Sequence, residues 1–327
     1  MASLTAAELV ALIPRLYGTK IFEEAQALAF WSQFEGTEGS GLPITAKTEL
    51  EKQPGDTIRI GYTQQLTGDG RTGEQVLEGY EEELVTDYCD VTISLLRHAT
   101  RHQRTADERT IIDLAAREKT ALAKWLAKNR DTAIFTAATG SPTNVIYGDS
   151  TATSVDDLDA TDTMDTGIIS RAKVMAEDLL IPPMTILNGV PYYGMVIHTY
   201  QAYDLKQDEV WTQANREAMP PGKDNPLFTG MLGHWDGVIL FSHPRVPVAD
   251  NAASPAVAVG SAVLFGAEFM LHAYGRAPEY IVETFDYKES LGTGIAIVDG
   301  LKKVKYTTEA EDKGCVIAQT ACEDPNA

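Results

Sequence analysis

Between residues 105 and 139, apolar side chains return at three- and four-residue steps: Ile111, Leu114, Ala115, Leu122, Trp125, Leu126, Ala133 and Ile134. That period places them on one face of a helix. Thr105 and Glu108 have the spacing of a capping box, and Gly140 with Pro142 closes the pattern. A helix over Thr105–Ala138 would be about 50 Å long at 1.5 Å per residue, a spine across the molecule. Upstream, "TIRIGY" (57–62) and "DVTISLL" (90–96) alternate apolar and polar positions, as half-solvated strands do. The polar stretch between them is too long for a tight hairpin. A two-stranded excursion of this kind buries little against itself and needs a partner surface.

The rest of the chain mixes both periods. "GIISRAKVMAEDLL" (167–180) reads as an amphipathic helix before Pro182-Pro183, "YYGMVIHTY" (192–200) as a buried strand, and "QAYDLKQDEVWTQANREA" (201–218) as a helix. "PPGKDNPLFTG" (220–230) reads as a loop and "WDGVILFSHPRV" (235–246) as a strand. "AVAVGSAVLFGAEFMLHAYG" (256–275) is apolar but broken by glycine, glutamate and histidine, which suits a core strand and helix rather than a membrane span. Strands follow in "APEYIVETFDY" (277–287), "GTGIAIVDGLKKVKYT" (292–307) and "GCVIAQTAC" (314–322). Short helical patterns in residues 1–47, broken by "EGTEGSGLP", suggest an arm.

Charge narrows the function classes. The formal net charge is −20. Specific nucleic-acid recognition normally needs a basic patch, so it is not expected. Cys89, Cys315 and Cys322 are scattered and not in metal-ligand spacing, which fits a chain folding in reducing cytosol. Neither a signal peptide nor a membrane partner is expected.

Gly68-Asp69-Gly70-Arg71-Thr72-Gly73 matches the Gly-x-Gly-x-x-Gly dinucleotide fingerprint. That motif works only when a buried strand feeds it and a helix opens at its end. The strand before it alternates, and Gly79 would weaken a helix after it. A glycine-rich turn is the better reading, and no cofactor is expected. His98 and His102 lack the intervening glutamate of a zinc protease, and Arg101 stands between them, so a metal site is not expected either. His198, His234 and His243 read as locally bonded residues on strand faces. Asp and Glu are too numerous for one pair to stand out as acid and base. Glu81, Glu82 and Glu83 after the glycines, and Arg97, Arg101 and Arg104 before the spine, are either solvated faces or the two halves of a contact between chains.

Taken in order, "PGDTI", "LTGDGRTG", "LEGYEEEL", "DVTISLLRHATR", the spine, "NPLFTGMLGHWDGVIL" and "GIAIVDGLKKVKY" resemble the major capsid proteins of tailed phages, in particular the N-four-like group, from about residue 45 to 306. The resemblance implies an α+β chain with the HK-ninety-seven-like capsid fold. Its parts would be an N-terminal arm (1–47), an extended loop or E-loop (48–97), a peripheral domain with the spine (98–140), an axial domain (141–270), and peripheral strands with a tail (271–327). It implies a structural protein, not an enzyme. Copies would assemble as pentamers and hexamers into an icosahedral head around double-stranded DNA, touched weakly and without sequence preference. Portal, scaffolding and decoration proteins are further possible partners. Gly68, Gly70, Arg71 and Gly73 would then form the loop tip that lies on an adjacent subunit. Some proteins of this fold join subunits through a loop lysine; here Thr57 to Leu84 contains none, so a non-covalent shell is expected. An encapsulin-like compartment of the same fold, and a nucleotide-binding enzyme using residues 68–73, are the alternatives.

Overall fold

The computed structural model describes residues 29–325, except 38, 49–54, 64–65, 67, 69, 74, 85, 111–113, 188, 219–231 and 306–310. Strands β1 (Glu35–Thr37), β2 (Ile44–Lys47), β3 (Thr57–Thr63), β4 (Thr86–Thr92) and β5 (Ser94–Gln103) lead into helices α1 (Arg104–Arg109) and α2 (Leu114–Thr139). Then come β6 (Val145–Tyr147), α3 (Thr166–Asp178), β7 (Thr185–Leu187), β8 (Val190–Ile197), α4 (Thr199–Gln207) and α5 (Glu209–Ala218). The chain closes with β9 (His234–Trp235), β10 (Val238–Ser242), β11 (Val248–Asp250), β12 (Ala258–Phe265), β13 (Met270–Phe285), β14 (Ser290–Lys303) and β15 (Cys315–Ala321).

Two large sheets result. One runs β1-β2-β13-β14-β5, and the other β6-β15-β12-β8-β10-β9 with β11 and β7 at its sides. The second is buried on both faces, which is why its strands read as continuous apolar runs. Alternate residues part company: Ala262 and Leu264 of β12 join Met195, Ile197 and Val316 under α3 and α4. Val263 and Phe265 face the other way, with Val196, Ile317, Phe135 and Trp31. Trp31 is 1% exposed, and the rings of Phe34, Phe135, Phe265 and Phe269 lie within 5.2–5.8 Å of it. The buried Asp131 carboxylate accepts from the backbone N–H groups of Phe30 (3.1 Å) and Trp31 (3.3 Å) and pairs with Arg245 at 2.8 Å.

Four expectations need correction. The spine is not one helix: α1 stops at Thr110, whose extended backbone (φ −103°, ψ 145°) ends it, and α2 resumes at Leu114. Thr110 is β-branched, and branched side chains lose rotamer freedom in a helix. The capping box does not form; Gln103 is the cap residue, and Glu108 instead pairs with Arg104 at 3.1 Å. The long apolar segment 256–275 forms two strands, β12 and the start of β13, because a buried strand and a buried helix share the same apolar signature. Residues 30–47 are not a free arm: Trp31, Phe34 and Ile44 sit in the core, and β1 and β2 complete the first sheet. The helical patterns before residue 29 and the loop at 220–230 lie outside the described residues, apart from one boundary: α5 ends at Ala218.

Helix α2 serves both cores. Its first half lies on β5 and β14, with Trp125 stacked on His98 at 4.5 Å between ring centroids. In its last half Ile134, Phe135 and Ala138 are fully buried around Trp31.

Candidate intersubunit surface

Strands β3 and β4 pair antiparallel from Thr57↔Thr92 to Thr63↔Thr86, and stand apart from both sheets as a two-stranded ribbon. One face of its paired strands is buried, at Ile58, Asp87, Cys89 and Val91. Ile58, Cys89 and Val91 pack on Leu271, Ala273 and Val304. Arg59 braces the base by donating twice to Asp90 (2.8 Å each) and lying over the Tyr88 ring at 3.9 Å. Lys302 adds a hydrogen bond to the Asp90 carbonyl at 2.8 Å. The ribbon ends at Thr92 and β5 starts at Ser94, so the excursion is shorter than residues 48–97. The alternation of Val91, Ile93 and Leu95 runs straight through this change of sheet and hides it.

Past Thr63 the described residues are exposed, including Leu66, Val76, Leu77, Tyr80 and Leu84, each more than half so. Such a run of bare apolar side chains marks an interaction surface. Gly70 and Gly73 both have φ of +68°, a region costly for residues with a Cβ. The Gly68 N–H donates to Glu82 Oε2 at 2.7 Å, and an added Cβ would displace that carboxylate end. Arg71 covers the Tyr80 ring at 3.7 Å, and Glu81 accepts from the Gly79 N–H at 2.7 Å. The three glycines therefore shape a tip that Glu82 and Tyr80 hold together. No helix starts within the described residues 75–84.

The arginines lie on the body of the chain. Strand β5 sends His98, Thr100 and His102 toward α2; His102 reaches Glu118 at 2.8 Å and Thr100 bonds Thr293 at 2.8 Å. His102 is thus packed under the helix, while His98 stacks on Trp125 and stays exposed at the surface. Leu95, Arg97, Ala99 and Arg101 alternate to the other face. There, Arg97 and Arg101 flank an open groove of about 580 Å³ floored by Ala99, Gly292 and Gly294, with Ile281, Glu283 and Phe285 along the far wall. Arg101 lies over the Phe285 ring at 4.8 Å. Arg104 is engaged with Glu108 instead. Within the loop tip, Glu82 accepts from the Gly68 N–H and Glu81 from the Gly79 N–H.

His198 caps α4 by accepting from Tyr200 N–H and lies 3.4 Å from Cys322 Sγ. His243 follows β10 and accepts from Arg245 N–H at 3.2 Å, and His234 of β9 pairs with Ile239 of β10.

A buried charge cluster, with no sequence signal, ties these layers together. Glu35 of β1 meets Arg130 of α2, His272 Nδ1 (2.7 Å) and the donating Tyr274 hydroxyl (2.9 Å), while His272 Nε2 reaches Asp299 at 3.2 Å. Burial alone would raise the Glu35 carboxyl; the His272 hydrogen bond and the Arg130 charge outweigh it and bring it from 4.5 to about 2. A depressed carboxyl stabilises the fold above its unfolded pKa and loses that contribution as pH falls toward the folded value. A shift of this size corresponds to about 3 kcal/mol. Glu35→Gln should therefore be less stable at pH 7, and its stability should fall less than wild type's between pH 4.5 and 2. Denaturant melts across that window check this; parallel pH profiles would overturn it.

Residues 6–144 and 134–323 match a family model described as phage capsid protein. The chain is 25% identical over 343 residues to the major capsid protein of Pseudomonas phage KPP25, covering 91% of this chain and 90% of that one. Among solved structures it resembles the capsid of Ralstonia phage GP4, with a TM-score of 0.79, 24% identity and 100% of both chains covered. The cyanophage Pam1 capsid gives a TM-score of 0.82 at 20% identity, over 98% of this chain and 99% of that one. These likenesses show a shared fold, the HK-ninety-seven-like capsid fold.

Proposed function

The chain belongs to the phage capsid protein family, and from that premise we propose that it is the major subunit of an icosahedral head, built from pentamers and hexamers around double-stranded DNA in the cytoplasm of a bacterial host. Its role is structural: it forms the virion's shell. The loop tip of one copy, Gly68 to Leu84, lies in the groove beside Arg97 and Arg101 of the next. What supports this reading is the tip itself: four apolar side chains, Val76, Leu77, Tyr80 and Leu84, exposed beside acidic residues, on a ribbon buried only along its paired strands. The groove offers matching chemistry, with arginines on one wall and Ile281 and Phe285 on the other. Arg104, paired with Glu108, contributes less than Arg97 and Arg101. Neighbouring copies are held by buried contact area without covalent bonds. Portal, scaffolding and decoration proteins would complete the head.

Electron microscopy of the purified protein should show closed shells, and their absence would defeat the proposal. The loop contact has its own test. Reversing Glu82 and Glu83 to Lys should impair assembly, but Glu82→Lys also frees Gly68, so Glu83→Lys alone is the cleaner variant. A like-charge contact at an interface is costly. We expect shell yield to fall about tenfold, equivalent to about 1.4 kcal/mol, with partial rescue by Arg97→Glu or Arg101→Glu. Wild-type yield from Glu83→Lys would show that the acidic trio is merely solvated.

A further inference from the structure

We infer that the solvent face of α2 is the surface that meets the enclosed duplex DNA, and so forms part of the shell's inner wall. This rests on the reading that the shell holds DNA. Helix α2 carries five cations, Arg117, Lys119, Lys124, Lys128 and Arg130, and two acids, Glu118 and Asp131. Both acids turn inward: Glu118 onto His102 and Thr293, and Asp131, fully buried, onto Arg245. Arg130 is bound to Glu35, and Lys119 lies over the Tyr280 ring at 5.3 Å. That leaves Arg117, Lys124 and Lys128, spaced i, i+7 and i+11, on one stripe about 16 Å long. Arg117 and Lys128 are exposed and Lys124 partly so. Among the described residues none of the three has an ion-pair partner.

A face bearing only positive charge, on a chain of net charge −20, fits a polyanion. Each cation placed near a phosphate releases a condensed counterion, which favours contact without any sequence preference. A second copy's loop tip, with Glu78 and Glu81 to Glu83, is the other acidic occupant available. The two layers separate the two occupants. Alternation along β5 puts Arg97 and Arg101 on the side opposite α2. That side also has the apolar wall needed to cover Leu66, Val76 and Tyr80, whereas the helix stripe offers only Ala121 between its cations. Apolar-and-acidic matches the sheet; purely anionic matches the helix.

Crosslinking in filled heads tests this. Cys89, Cys315 and Cys322 are buried, so a benzophenone maleimide goes to an introduced thiol. On Lys124→Cys, irradiation should join the protein to DNA; on Arg97→Cys it should join the protein to a second chain. Lys128→Cys repeats the first arm should Lys124→Cys fail to assemble. Loss of the DNA adduct in DNA-free shells of the same variant completes the expected result. A crosslink from position 124 to residues 66–84 of another copy, or filled heads with no DNA adduct, would overturn the assignment. Micrographs taken before irradiation that show no DNA-filled shells would overturn both this and the reading it rests on.

Discussion

Deleting residues 64–76 leaves a soluble, folded subunit that no longer closes into shells. The fold contributes to this asymmetry directly. Everything the ribbon buries lies on its paired strands, in Ile58, Asp87, Cys89 and Val91, and the Arg59–Asp90 brace is there too. The deletion spares all of these and keeps residues 77–85, enough to close a hairpin from β3 to β4. The part removed carries Leu66, Val76 and the glycine turn, whose described contacts stay within the tip. Thermal unfolding of the deleted subunit should match wild type closely, while electron microscopy finds no closed particles. Normal shells from the deletion would mean that the ribbon tip is dispensable for assembly.

Trp31→Ala should produce the largest loss of stability in the chain. Trp31 fills the space between α2 and the buried eight-stranded sheet, against four phenylalanine rings. Truncating a buried tryptophan costs about 3–5 kcal/mol, since the transfer energy is lost and the cavity stays open. For a chain of this size that corresponds to a melting point lower by roughly 4–7 °C. The measurement belongs on unassembled subunits, because assembly would stabilise the folded form by mass action. A melting point within roughly 2 °C of wild type would show that residues 30–34 do not pack into their own chain's core.

Legibility from sequence follows the range of the interaction. β3, α3, β8 and β15 each carry their period within a few residues, and each forms where the pattern puts it. The loop glycines were legible as a turn because the strand before them alternates and no helix pattern follows. The break at Thr110 was masked by apolar residues that keep helical spacing across it. The groove could not be read: Arg97 and Phe285 are brought together only by the β5-β14-β13 pairing, and no local pattern foretells which strand lies beside which. Nor could the Glu35 cluster, in which Glu35 and the Tyr274 that bonds to it are 239 positions apart. The acidic trio drew notice as a charge run, yet the specific role of Glu82 depends on a backbone N–H fourteen residues away.

Helix α2 has a consequence for which changes its gene can absorb. Leu126 lines the β14 side and Phe135 the Trp31 side. They are nine residues apart, and at about 100° per residue they point in opposite directions. Adding or removing one residue between them would swing one contact surface by about 100° while the other stayed seated. Substitutions at an exposed site such as Thr132 leave that phase intact. The segment from 126 to 135 should therefore tolerate changes of composition on its outer face, Lys128 apart, and remain fixed in length, a constraint on insertions and deletions that the side chains alone do not reveal.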